Sequence, residues 1–328
     1  MVQGKRWVIG KPFEGSLTDA NFHLEEFSLP NLNDGEILVE AVYLTVDPYM
    51  RMAMISRPAG DTIAGEQVAK VVESKNAEYP VGTHIVTSPG WVTHSISNGE
   101  GISKIDPNYP KDLPLSLALG TLGMTGRSAY IGMTEIGQIK AGETVFVSGA
   151  AGAVGSVAGQ MAKIMGCRVL GSAGSDEKVA YVKELGFDEV FNYNKVKDID
   201  ATIKGLAPNG IDVYFDNVGG DFSMMMIKHM RIYGRVVVCG AISEYNLTDP
   251  QKYPSIFCHL LFNSIKVHGF TNFHYTQLYP KAIAQLSEWI QKGQLKYRED
   301  VTEGFQNMPK AFMALFLGAN KGKAIIKM

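Results

Sequence analysis

The sequence predicts an α/β protein in two parts: a β-rich domain, then a doubly wound parallel sheet with helices on both faces. Two changes in pattern along the chain carry that reading. From Val2 to about Gly120 short β-type runs alternate with turn chemistry, and from about Lys140 strands alternate with helical stretches. The length of 328 residues suits two domains, each able to bury a core without disulfide or metal staples.

In the first part GEILVEAVYLTV follows the turn Asn33-Asp34-Gly35, GEQVAKVVES and GTHIVTS come next, and Pro89-Gly90 breaks the pattern again. In the second part four strand-helix steps can be read. They are ETVFVS then AVGSVAGQMAKIMG, CRVLGSAG then SDEKVAYVKELG, IDVYFDN then DFSMMMIKHMRIYG, and IKVHGFT then LYPKAIAQLSEWIQKG, each helix closing on a glycine. Val154, Val157, Ala158, Met161, Ala162 and Met165 recur at helical spacing and predict one apolar stripe against the sheet. After Gly293 the chain turns β-like again, with a helix expected from Met308 to Leu317 and a last strand in GKAIIKM that rejoins the first part. The run Met224-Met225-Met226 reads as core or interface packing.

Composition removes several function classes. Hydrophobic residues are 45% and charged residues 20%, as in an ordinary globular chain, and a net charge of -2 gives no reason to seek a polyanion. Nucleic acid is not an expected partner. No apolar run approaches the ~20 residues of a membrane span, and the opening MVQGKRWVIG lacks a signal-peptide core. Three widely spaced cysteines, Cys167, Cys239 and Cys258, form neither a disulfide framework nor a CxxC motif, so a reducing, cytoplasmic compartment is expected.

VFVSGAAGAVGS runs a β-branched strand into glycines and then into a helix, which suits a dinucleotide pyrophosphate. Gly152 lets the backbone approach the phosphates, Gly155 lets helix and strand pack closely, and with Ala153 and Val154 the turn offers free helix N-terminal amides. Taken alone, such a cluster is equally a plain turn, and the strand-helix repeats around it favour binding. An NAD site places an acid at the end of the second strand to hold the ribose hydroxyls. This chain reads Gly171-Ser172-Ala173-Gly174-Ser175 there, with Asp176 and Glu177 in the first turn of the next helix. No acid opposes a 2′-phosphate, so NADPH is expected over NADH, with Lys178 as its partner unless that lysine is merely a solvated helix residue.

Three cysteines and seven histidines supply neither a four-cysteine lobe nor a catalytic ligand set, so no metal site is predicted. Hydride chemistry without a Lewis acid favours enones, whose reduction spreads charge into an enolate, over plain ketones, whose alkoxide demands a metal or a strong proton donor.

The stretches LTVDPYMR, GEQVAKVVESKN, SPGWVTHSIS, LPLSLALGTLGMTG, AAGAVGS, GSDEKVAYV, YFDNVGG, CGAISEYN and EGFQNMPKAFM give the chain a resemblance that spans nearly its whole length. It resembles the zinc-free medium-chain dehydrogenase/reductases of the prostaglandin reductase and leukotriene B4 12-hydroxydehydrogenase branch. GEQVAKVV stands where zinc members carry a glycine-histidine-glutamate ligand motif.

The resemblance implies a GroES-like domain over 1–121 completed by 300–328, a Rossmann domain over 122–299, and a homodimer built through the Rossmann sheets. It implies NADPH contacts from Gly152 to Gly155, from Lys178 and Tyr193 at the 2′-phosphate, and from Asn217. Further contacts are implied from Cys239, Gly240, Ala241, Ile242, Ser243, Glu244 and Tyr245, from Phe270, Thr271 and Asn272, and from Asn320. The implied substrates are α,β-unsaturated ketones and aldehydes, such as 15-oxo-prostaglandins and lipid alkenals, with hydride going to the β-carbon. Relatives carry a tyrosine near the substrate carbonyl where this chain has Phe262, which leaves Tyr49, Tyr245 or water as the proton donor, with a packing role open for either tyrosine. A quinone oxidoreductase and a non-enzymatic NADPH-binding sensor or scaffold are the alternative readings.

Overall fold

The computed structural model describes residues 1–105 and 109–328. Strands β1 (Val2–Ile9) and β2 (Phe22–Leu29) pair as an antiparallel ribbon. Next come β3 (Ile37–Thr45), the short helix α1 (Tyr49–Ala53), β4 (Gln67–Ser74), β5 (His84–Thr87), β6 (His94–Ser97) and β7 (Ser103–Lys104). Strand β3 pairs antiparallel with both β4 and β6, and β4 continues through β5 to β7. The three runs read from the sequence as strands form β3, β4 and β5.

Helix α2 (Met124–Ile131) runs into a π-helical turn over Gly132–Ile136 and leads to β8 (Thr144–Val147). The chain then alternates: α3 (Ala153–Ile164), β9 (Arg168–Ala173), α4 (Asp176–Glu184), β10 (Glu189–Asn192), α5 (Ile199–Leu206), β11 (Ile211–Asp216), α6 (Gly220–Ile227) and β12 (Met230–Val238). After a long loop, α7 (Phe257–Phe262), β13 (Lys266–Gly269) and α8 (Tyr279–Gln291) complete this part. Its six strands are all parallel, in the order β10-β9-β8-β11-β12-β13. The order reverses direction between β8 and β11, and in such sheets the crevice at that reversal, outside the strands' carboxyl ends, takes the ligand.

Local sequence explains most of these boundaries. On α3 the predicted stripe is buried at Val157, Ala158, Met161 and Ala162. Ser175 caps α4 by accepting the Lys178 amide at 3.2 Å, and the Asp198 carboxylate caps α5 through Ala201 at 2.9 Å. Central strands β8 and β11 are buried along nearly their whole length, as expected with helices on both faces.

Two readings need correction. DFSMMMIKHMRIYG is not one helix closing on Gly234: α6 ends at Ile227 and β12 already begins at Met230. Arg235 and the β-branched run Val236-Val237-Val238 pair with β11 and draw the preceding residues into the strand, with an irregular register near Ile211 and Val213. The step β10-α5 was also unread. Its strand has only four residues, and only Ile203 of α5 is fully buried, so neither shows a strong period.

At the end of the chain β14 (Glu299–Glu303), α9 (Met308–Phe316) and β15 (Lys323–Lys327) return to the first sheet. Strand β15 inserts between β14, parallel, and β3, antiparallel. Helix α9 delivers Phe312 edge-on to Trp91 at 5.6 Å and to Phe22 at 6.3 Å. Each such aromatic pair adds about 0.5–1.5 kcal/mol beyond its buried area, which holds the tail to the first part.

Candidate active site

Strand β8 runs into the turn that opens α3, and Gly152 takes the N-cap position without any side-chain cap. The first-turn amides of α3 are therefore left to an incoming acceptor. Gly155 packs against the turn itself: a Cβ there would lie 2.4 Å from the Gly149 carbonyl oxygen, so no other residue fits. The sequence assigned Gly155 to close packing, and the turn backbone is what it packs on.

Asn217, at the end of β11, donates its amide to the Ser148 carbonyl at 2.8 Å, which ties it to the phosphate turn and leaves its amide oxygen unused. The residue that organises this crossing, Asp216, was not read from the sequence. Its buried carboxylate accepts from Ser148 Oγ at 3.1 Å, Tyr214 OH at 2.7 Å, Val218 N at 2.9 Å, Gly219 N at 3.1 Å and Ser223 Oγ. A carboxylate satisfied this fully needs no cation, and it fixes the loop on which Asn217 sits. The one available signal was an acid directly after the buried run Val213-Tyr214-Phe215 at the end of IDVYFD.

Residues 239–245 wrap that loop. Cys239 N and Gly240 N donate to the Asp216 carbonyl at 2.9 and 3.1 Å, and Ile242 N and Ser243 N donate to Asn217 O and Val218 O. Burial, with Asp216 nearby, pushes the Cys239 thiol up to about 12, which keeps it protonated and unreactive. Ala241 N donates to the Tyr245 hydroxyl oxygen at 3.1 Å, leaving that phenol its own proton. Glu244 is expected at the cofactor, and one of its carboxylate oxygens accepts Gly220 N at 2.8 Å and Tyr253 OH at 3.1 Å, which fixes the loop against the start of α6.

Phe270 follows β13, its amide on Val238 O at 3.2 Å, and Thr271 leads into a short 3₁₀ turn. Asn272 is expected beside them at the cofactor. Its side-chain amide donates to Met124 O and Ser128 Oγ at 3.1 and 2.8 Å, and its oxygen accepts Tyr279 OH at 3.2 Å. These bonds tie the turn to α2 and α8.

At the other end, β9 delivers Gly174 beneath the half-exposed ring of Tyr193, whose hydroxyl would sit 2.6 Å from a Cβ on Gly174. Lys178 reaches across to the Gly318 carbonyl at 2.7 Å. Asp176 is taken by Asn192 at 2.7 Å and by Lys195, and these partners hold its carboxyl below the usual range. Glu177 pairs with Lys321. Among the described residues no carboxylate pairs with Lys178, and burial lowers its ammonium below the usual lysine range despite Asp300. Asn320 lies in the same tail turn, its amide on Gly322 O at 2.9 Å, while Gly322 N donates to Ala151 O of the phosphate turn at 2.9 Å. The uncapped helix, a cation without a carboxylate partner and acids already committed elsewhere fit a dinucleotide carrying a 2′-phosphate.

The first domain faces this crevice with α1. Burial, then Asp47 and Glu66, raises the Tyr49 phenol well above its ordinary range, so it stays protonated. Arg51, two residues on, donates to Asn246 Oδ1 at 3.2 Å. The segments carrying Tyr49 and Tyr245 are thereby tied together across the crevice. Phe262 lies apart from them: it is 78% exposed on α7, outside the edge of the parallel sheet. Among the described residues no three His, Cys, Asp or Glu side chains group as a metal site.

Two family models match the chain, "N-terminal domain of oxidoreductase" over 5–105 and "Zinc-binding dehydrogenase" over 153–290. Prostaglandin reductase 1 of Bos taurus is 51% identical over 331 residues, covering 100% of both chains. The chain belongs to the prostaglandin reductase family of zinc-free medium-chain dehydrogenase/reductases. A further member, the NADP(+)-dependent 2-alkenal reductase of Nicotiana tabacum, is 41% identical over 98% of this chain and 95% of its own. Among solved structures, CurA of Vibrio vulnificus in complex with NADPH superposes with a TM-score of 0.93 at 36% identity, covering 99% of each chain. The prostaglandin reductase fold, a β-rich domain beside a Rossmann sheet, is the one described above.

Proposed function

We propose that this chain is an NADPH-dependent oxidoreductase that reduces the carbon-carbon double bond of α,β-unsaturated ketones and aldehydes. The observation that carries the reading is its full-length similarity to a prostaglandin reductase and a 2-alkenal reductase. Bound NADPH in the CurA structure supports the cofactor, as does Lys178, which holds the Gly318 carbonyl and pairs with no carboxylate among the described residues.

The proposed cofactor contacts are the turn Gly152 to Gly155 for the pyrophosphate, Lys178 and Tyr193 for the 2′-phosphate, and Asn217, residues 239–245, Phe270, Thr271, Asn272 and Asn320 along the rest. NADPH supplies the hydride for the β-carbon of the enone. The chain's residues then have to stabilise and protonate an enolate. Tyr49 and Tyr245 are the proposed donors. Both phenols stay protonated, because burial raises each first, and the Tyr245 oxygen already accepts Ala241 N while its own proton is free to be donated. Arg51 holds α1 to Asn246 at 3.2 Å, which keeps the segments bearing the two phenols together where charge would develop.

The proposed domain division is 1–121 with 300–328, and 122–299; the pairing of β15 with β3, and of β14 with β15, supports it. A homodimer through the Rossmann sheets is proposed as well. Edge strand β13 carries the open side of that sheet, and Ile232, Tyr233, Phe257, Leu261, Phe262 and Val267 are exposed around it. No described helix is long and apolar enough to cross a membrane, and three free cysteines support the proposed cytoplasmic setting.

The test is NADPH oxidation by purified protein with a 15-oxo-prostaglandin and a 2-alkenal beside a simple quinone. Turnover of the enones is expected, and brisk quinone turnover with inert enones would overturn the assignment in favour of a quinone oxidoreductase.

A further inference from the structure

Strand β15 begins with a lysine that points into the protein. Lys323 is 3% exposed, and its ammonium meets Asp47 Oδ1 at 2.8 Å, the Val46 carbonyl at 3.2 Å and Thr45 Oγ1. All three N–H donors are therefore satisfied. Asp47 is 4% exposed, and its second oxygen accepts the Thr45 hydroxyl, closing a ring of three side chains. A buried ion pair is a poor stabiliser compared with apolar packing of similar volume, so its presence asks for another reason.

Its position supplies one. The neighbouring Gly322 is hydrogen-bonded to Ala151 at 2.9 Å and bridges Gly152, the first residue of the phosphate turn. On the other side Asp47 leads directly into α1: its carbonyl accepts Met50 N at 3.1 Å, and Tyr49 is two residues on. One step of chain thus joins the phosphate turn to Lys323, and one ion pair joins Lys323 to the start of the helix bearing Tyr49.

We infer that Lys323 is a positioning residue that couples the phosphate turn to α1, so that seating the dinucleotide on Gly152 to Gly155 fixes Tyr49 at the crevice. Lys323 touches neither cofactor nor substrate in this role; it acts through Asp47. The inference rests on the dinucleotide reading of the site and not on the identity of the enone.

The variant K323M/D47L removes both charges together, avoiding the uncompensated buried charge that a single substitution would leave. Amide hydrogen exchange with saturating NADP, which is unreactive here, reads the coupling directly. In the unaltered chain NADP should slow exchange in 47–53 along with 149–156. In the variant it should still slow 149–156 while leaving 47–53 as in the free protein. Steady-state kinetics form the second arm. A misplacement of about 1 Å costs on the order of 10²-fold in rate, so kcat should fall by roughly that factor with little change in the KM for the enone.

Equal protection of 47–53 in variant and parent, or an unchanged kcat, would overturn the inference. If the variant does not fold, the parent still decides: protection confined to 149–156 would overturn it too. An enzyme that binds NADP but turns over no enone would sink the proposed activity while leaving the exchange result to judge Lys323.

Discussion

Lys178 carries the cofactor preference in a single side chain. Lys178→Ala should raise the KM for NADPH by about 10- to 100-fold, the worth of one charge-assisted hydrogen bond, and leave that for NADH nearly unchanged; equal effects on both would reduce it to a surface lysine. The same residue sets a pH dependence. A lysine is charged below its pKa, and burial lowers this one, so its charge is lost on the alkaline side at a lower pH than for an ordinary lysine. The preference for NADPH over NADH should therefore shrink as pH rises, beginning before the usual lysine range, in KM values measured for both cofactors. Of the two phenols, the true donor is the one whose replacement by phenylalanine lowers kcat by about 10²- to 10⁴-fold; the other should cost little. At this scale the sequence was uneven. The missing acid after β9 was legible because its absence is local, and Asp176 and Glu177 are indeed bound to lysines. The bonds of Glu244 to Gly220 and of Asn272 to Met124 and Ser128 were not legible, because folding alone brings those partners together.

The loop between β11 and α6 hangs on one carboxylate. Asp216→Ala would orphan the Val218 and Gly219 amides and strip the shared acceptor from the Ser148, Tyr214 and Ser223 hydroxyls, and buried unsatisfied donors cost about 1–3 kcal/mol each. A loss of stability of at least about 3 kcal/mol is expected on that scale, measured by denaturant midpoint, together with weaker NADPH binding as Asn217 loses its anchor. A variant as stable and as tight as the parent would refute the role given to Asp216. Elements with a strong period, such as α3 and α9, were legible to within a residue or two. The short β10 and the sparsely buried α5 were not, since four residues cannot display a period. The boundary between α6 and β12 was misread because Met230 is apolar in either pattern, and only pairing with β11 decides it.

At the scale of the whole molecule, six exposed apolar side chains, Ile232, Tyr233, Phe257, Leu261, Phe262 and Val267, gather at one sheet edge. Replacing Tyr233 and Phe262 with aspartate should convert the proposed dimer to a monomer, seen by light scattering at concentrations where the parent is dimeric. A parent that is itself monomeric would remove the proposal. The two-part architecture was visible from the change of pattern near Lys140, and the return of the tail from the final strand-like run.

That return also governs the order in which the protein can be made. Strand β3 lacks its β15 neighbour until the last residues of the chain have been synthesised, after every strand of the parallel sheet. Domains generally fold as they emerge, N-terminal first, yet here the first part must wait, with the Tyr43–Thr45 end of β3 unpaired on the side that β6 covers only at Ile37–Glu40, while the later part has all of its own strands. A ribosome-stalled chain ending near residue 300 should accordingly be protease-resistant in its second half and still labile in its first.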